Sequence, residues 1–144
     1  MVNDPWDLYQ EAEKSNIDVE WFSLRTDQSM AIQMQDGSCA IALDPQKIDT
    51  AYKANTSLGH ELGHCKTGSF YNPYAKLDIR ERHEIRADKW AIHRLIPVYK
   101  LDLAVAEGYT TLWDLADYFG VTEDFMRKAV CWYTHGNLAA DLYF

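Results

Sequence analysis

Apolar positions along the chain change period several times, and each change marks an element. In "NDPWDLYQEAEKSN", Trp6, Tyr9 and Ala12 recur at helical spacing behind Asp4, a capping residue type, and Pro5, which suits a first helical turn. This predicts a short amphipathic helix. From Ile17 to Leu24, and again in "SMAIQMQ" and "SCAIAL", the pattern becomes short β-branched, aromatic and apolar stretches, with Asp36 and Gly37 between the last two. These predict a small antiparallel sheet with a hairpin. Beyond Pro45, "KIDTAYKANTSLGHELGHCKTG" returns to helical spacing until Gly68.

"SFYNPYAKLD" reads as a loop around Asn72 and Pro73, and "IRERHEIRADKWAIHRLIP" as a second long helix ending before Pro97. The remainder breaks into two or three short helices punctuated by Gly108, Gly120 and Gly136, with Thr111 and Thr122 as caps. The expected class is α+β: a small antiparallel sheet packed on two long helices, followed by a short helical tail. A chain of 144 residues makes one domain, residues 1–144, in which 1–98 hold the sheet and long helices and 99–144 the dependent tail.

Composition narrows the setting. No apolar run approaches the ~20 residues that cross a bilayer, and "MVNDPWDLYQEAEK" lacks a basic segment followed by an apolar one, so a soluble cytoplasmic protein is expected. Three cysteines, Cys39, Cys65 and Cys131, in no paired motif suit reduced packing thiols. A net charge of −8 disfavours membranes and nucleic acids, both polyanions, and directs attention to a protein partner.

Candidate chemistry centres on "SLGHELGHCKTG". On a helix His60 and His64 stand one turn apart on nearly the same face, so both imidazoles can reach one ion, while Glu61 points elsewhere and can sit beside its water. A third ligand is required. A histidine six residues after His64 is excluded by Phe70, and Thr67 stands where a glycine would be needed midway. Glu84 and Asp88 offer a better answer: four apart, on a face continued by Ala87, Ala91 and Leu95, they place two carboxylates in an apolar stripe, which demands a positive partner. Glu84 is then the third ligand and Asp88 accepts the free N–H of a ligand histidine, His60. His60, His64 and Glu84 would hold one Zn2+ with an open position for water, and Glu61 would serve as general base in peptide hydrolysis. Two histidines and a carboxylate also accept other divalent ions.

"HELGH" followed by "EIRADKWAIHRLIP" resembles the ImmA/IrrE family of metallo-endopeptidases, whose second motif is matched here by Glu84, Ala87, Asp88, Trp90, Ala91 and Pro97. The resemblance spans nearly the whole chain. It implies a gluzincin-like fold with zinc, a setting in prophages or integrative elements, and cleavage of a helix-turn-helix repressor encoded nearby. Cys65 and Lys66 depart from the apolar residues that often follow "HELGH", and no sensor domain like that of the larger family members is expected.

Tyr71, Tyr74 and His135 are candidate stabilisers of a tetrahedral intermediate, each with ordinary packing as the alternative. His83 and His93 share the helix of Glu84 but not its face. "LADYFGVTEDFMRKAV" has a helix-turn-helix pattern, yet residues 101–144 carry many acids against only Arg127 and Lys128, which disfavours DNA. The leading expectation is a zinc endopeptidase acting on a specific protein, with the substrate extended along an edge of the sheet. The alternatives are a non-cleaving anti-repressor on the same zinc fold, or a DNA-associated regulator.

Overall fold

The computed structural model describes residues 1–144. Helix α1 (Pro5–Lys14) starts at Asp4, whose side chain accepts from the Trp6 amide, and buries Leu8 and Ala12. Three strands follow: β1 (Asp18–Trp21), β2 (Ser29–Gln33) and β3 (Cys39–Leu43). The long helices are α2 (Ala51–Thr67) and α3 (Leu77–Leu95), and the tail holds α4 (Val98–Ala106), α5 (Leu112–Phe119), α6 (Glu123–His135) and a terminal 3-10 turn. No helix is long and apolar enough to cross a membrane. The expected α+β class and helical tail are both present.

The sheet corrects one expectation. Its order is β1-β3-β2: β2 pairs antiparallel with β3 through the Asp36-Gly37 turn, but β1 runs parallel to β3, with Val19 opposite Ile41. The sheet is mixed rather than antiparallel. Apolar alternation marks strands without their direction, and the chain after β1 crosses to the far side of β3 before entering β2. The outer edge of β2 is consequently left unpaired.

A second correction concerns the thiols. Cys39 and Cys65, expected to be free, are joined as a disulfide, with Cα atoms 5.8 Å apart. β3 lies against α2, which brings together two positions 26 residues apart that no sequence spacing pairs. Cys131 is buried and free.

Helix α2 begins at a Thr50 cap, later than the apolar pattern suggests, and ends at Gly68 in the left-handed region (φ 66°), where a glycine stops a helix cheaply. Its closest neighbour is α3. A Cβ at Gly63 would lie 2.4 Å from the Ala87 carbonyl oxygen and 3.0 Å from the Ala87 Cα, so only glycine lets these backbones meet. The core joins α1, the sheet and α2 to the tail through Leu8, Leu43, Leu58, Leu62, Ile92, Leu95, Phe119 and Met126. Thr111 and Thr122 cap α5 and α6 by accepting from the Asp114 and Phe125 amides.

Two asparagines close the tail onto the rest. Asn3 Nδ2 donates to the carbonyls of Leu95 (2.7 Å) and Phe119 (2.8 Å), and Asn55 Nδ2 donates to those of Asn3 (3.1 Å) and Gly120 (2.8 Å). Both side chains are buried. They satisfy the carbonyls that the ends of α3 and α5 leave over.

Candidate metal centre

Helix α2 carries His60, Glu61 and His64 on the side facing the sheet and α3, and α3 carries Glu84 and Asp88 towards them. The close contact at Gly63 fixes how near the helices come. One ligand atom from each of His60, His64 and Glu84 lies within 4.8 Å of the others. Asp88 Oδ1 is 2.7 Å from His60 Nδ1, and the Ser69 carbonyl oxygen is 2.5 Å from His64 Nδ1. A carbonyl only accepts, so His64 carries its proton on Nδ1, and the ionised Asp88 asks the same of His60.

Both Nε2 atoms are thereby turned to Glu84, at 2.7 Å from Oε2 for His60 and 3.2 Å from Oε1 for His64. With neutral rings, two lone pairs and a carboxylate face one another with no proton between them. Such a cluster needs positive charge at its centre, and a divalent cation fits that donor set. The ionisation of the groups states the same demand. Burial alone would hold His60 down, but the carboxylates of Asp88 and Glu84, with Glu61 nearby, outweigh it and carry the ring up to about 10. Burial pushes Glu84 up, yet hydrogen bonds from His60 and His64 overcome this and hold it well below the usual carboxylate range.

Glu61 stands apart from this trio in kind. It is 5 % exposed, and burial raises its carboxyl, with the charge of His60 and the Ser29 hydroxyl offsetting only part of the rise. Ser29 Oγ, at the start of β2, donates to Glu61 Oε2 at 2.6 Å. A buried carboxylate with a raised proton affinity is suited to take and return a proton.

The cluster opens into a cleft of about 860 Å³ between the β2 edge, α2, α3 and the loop at Ser69–Pro73. Among the three proposed stabilisers only Tyr71 lines it: its hydroxyl donates to Glu84 Oε1 at 2.7 Å, and burial together with that acceptor pushes it up to about 12. Tyr74 is 95 % exposed, and His135 stacks on Tyr143 at the far end of α6. His83 packs against Tyr71 and His93 meets Trp132, and neither belongs to the trio or lines the cleft.

A profile of the IrrE N-terminal-like domain, a peptidase family, matches residues 13–130. The chain belongs to this family. The matched span of the IrrE N-terminal-like domain runs from the end of α1 into α6 and takes in every residue of the cluster, which supports a metallopeptidase-type function. A search of curated proteins gave no match.

Several contributors carry no signal in the sequence pattern. Ser29 reads as an ordinary strand residue, and Ser69 acts through its backbone. Lys128 of α6 reaches Asp88 Oδ2 at 3.1 Å, a contact across 40 residues that only the tail's docking creates. Gly63 is the exception: two small residues at helical spacing, Gly59 and Gly63, on a helix facing Ala87, Ala91 and Leu95, are a legible sign of close packing.

Proposed function

We propose that this chain is a zinc-dependent endopeptidase that hydrolyses a peptide bond in a specific cytoplasmic protein, a helix-turn-helix repressor being the partner that the family resemblance implies. The observation that carries the reading is the convergence of two histidine Nε2 atoms on the Glu84 carboxylate, with the buried Glu61 alongside. His60, His64 and Glu84 would hold the ion; Asp88 and the Ser69 carbonyl orient the two rings. A divalent ion there supplies Lewis acidity, which lowers the pKa of water and polarises a carbonyl. Zinc suits two nitrogens and one oxygen with a position left open.

This chain's own residues account for the remaining chemistry. Glu61 accepts a proton as water attacks the scissile carbonyl carbon, and returns it to the amide nitrogen as the C–N bond breaks. Ser29 keeps the reacting oxygen of Glu61 aimed into the cleft. Tyr71 offers an O–H at the cleft wall that can turn towards the negative oxygen of the tetrahedral intermediate. The unpaired edge of β2 gives an extended substrate backbone a row of hydrogen-bonding partners.

The test is metal analysis and proteolysis on wild type and Glu61→Gln, with the repressor encoded nearby as substrate. One equivalent of zinc in both, with kcat/KM lower by ~10²–10⁴ in Glu61→Gln, is the expected result. Zinc and repressor binding without cleavage by either protein would replace the peptidase with a sequestering module. Absence of bound metal in both would sink the reading.

A further inference from the structure

We propose that Arg80 reads an acidic side chain, aspartate or glutamate, on the peptide bound in the cleft. The inference rests on the peptidase reading for the cleft being a peptide site, and it adds what kind of peptide the site selects. Arg80 lies on α3 and is the one lysine or arginine that lines the cleft, where Asp27, Glu61 and Glu84 otherwise set the charge.

Its guanidinium has nothing to hold. In a chain with 22 acidic and 14 basic side chains, Arg82, Arg94 and Arg127 each find a carboxylate, and the unpaired Arg25 and Arg86 are exposed to water, whereas Arg80 is half-buried. Arg80 forms no salt bridge; its Nε is buried without a hydrogen-bond partner, as is that of Arg127, but unlike Arg127 it has no carboxylate on its Nη groups either. A buried N–H left unpaired is costly, and the nearby carboxylates do not relieve it. Glu61 is engaged by Ser29, Glu84 by both histidines and Tyr71, and Asp27 makes no ion pair with Arg80. The two Nη groups, unpaired within the chain and still accessible on a residue that lines the cleft, are open to an acceptor from outside it. A planar fork of donors matches a carboxylate with two parallel hydrogen bonds, a geometry that neither an amide nor a hydroxyl reproduces at equal strength.

Position specifies where on the peptide that carboxylate sits. Arg80 precedes Glu84 by one helical turn, about 6 Å along the axis, which is the advance of about two residues of extended chain. It shares the cleft wall with Tyr71, itself bonded to Glu84. The acidic residue therefore falls within about two or three positions of the bond at the metal, on the side of Tyr71 and Phe70. Such a site gives a peptidase with an edge-strand mode of binding its sequence preference, since backbone pairing alone is indifferent to side chains.

The experiment selects peptides by binding, not by cleavage. Zinc-loaded Glu61→Gln protein is offered a random peptide library displayed with linkers on both sides, so that no free terminus is present. The same is done with Arg80→Gln and Arg80→Glu added. Enrichment of aspartate or glutamate is expected, and synthetic capped pairs should bind roughly ten- to a hundredfold more tightly with the acid than with its amide. Arg80→Gln should erase the difference, and Arg80→Glu should turn enrichment towards lysine and arginine, which a merely structural role would not do. Selected peptides without charge preference, an acidic preference that survives Arg80→Glu, or no selected peptides at all would overturn the proposal. So would a preference confined to a free C-terminal carboxylate. Acidic peptides that bind through Arg80 but are left intact by the wild-type enzyme uphold the carboxylate site and overturn the peptidase reading instead.

Discussion

The α2/α3 pair and the α5/α6 pair are built from the same local grammar, a capped helix, a left-handed glycine and a second helix, yet only the first buries polar and charged side chains beside its apolar ones. Of the eight buried polar or charged residues, five, Asn55, Ser57, Glu61, His64 and Asp88, lie on α2 and α3, and none lies beyond Asp88. The tail buries Leu115, Ala116, Phe119, Phe125, Met126 and Ala129 instead. Apolar burial stabilises in proportion to area and needs no partner, whereas buried charge is tolerated only where something satisfies it. The first pair holds the cluster of histidines and carboxylates as well as part of the core, and the second holds core alone. Even the two basic residues of α6 follow this division: Arg127 is taken up by Glu123 and Asp124 on its own helix, and Lys128 turns back to Asp88.

The contrast can be broken most forcefully in the tail. Phe119→Ala should cost about 3–5 kcal/mol of unfolding free energy, read by urea denaturation, while the folded fraction keeps its full equivalent of metal. Loss of metal from folded Phe119→Ala protein would show that the two pairs are not separable. Gly63→Ala attacks the other side. Forcing a Cβ into the Ala87 backbone should destabilise by about 1–3 kcal/mol and also weaken metal binding, because Glu84 rides on the helix displaced. A chelator competition that finds unchanged affinity would contradict the close approach as the gauge of the site.

Asp88→Asn sharpens the comparison without disturbing the core. Metal affinity should fall by roughly 10–100-fold with little change in the urea midpoint, since the carboxylate acts on the His60 ring. An equal loss of stability would recast Asp88 as a structural ion-pair partner of Lys128. The smallest effect concerns Asp44, which braces the chain entering β2. The Leu24 amide bonded to its carboxylate, with Gln46 and Lys47, outweighs burial and holds it below its ordinary 3.8. A lowered value in the fold means that its contribution is complete above pH 3.8 and lost as pH falls through the folded value. The advantage of wild type over Asp44→Asn in urea should therefore be present at neutral pH and shrink in acid. An advantage of the same size on both sides would assign it to packing.

What could be read from the residues follows the same physical division. Helices are legible from apolar period, caps and glycines, and His60, His64, Glu84 and Asp88, singled out by their spacing and by the resemblance of two motifs, are brought together in the fold. The direction of β1, the Cys39–Cys65 bond and the partners Ser29, Ser69 and Lys128 could not be read. Each depends on which surfaces meet after folding, and a strand's alternation or a lone lysine is the same whatever it later touches. Arg80 lay hidden for another reason: a basic residue on a charged helix looks solvated until a cleft closes around it.

The two buried asparagines also close the longest loops described above. Asn3 reaches across 92 and 116 residues to Leu95 and Phe119, and Asn55 across 65 to Gly120, whereas His60 meets Glu84 and Asp88 across only 24 and 28. Closing a long loop costs chain entropy before its contacts return anything, so the ligand helices can find each other while the tail is still searching. Pulse-labelled hydrogen exchange during refolding should protect the amides of α2 and α3 ahead of those of Asn3 and Gly120, and the reverse order would refute this sequence. On this account the metal's cradle is assembled early, and the asparagine latch is the last part of the molecule to shut.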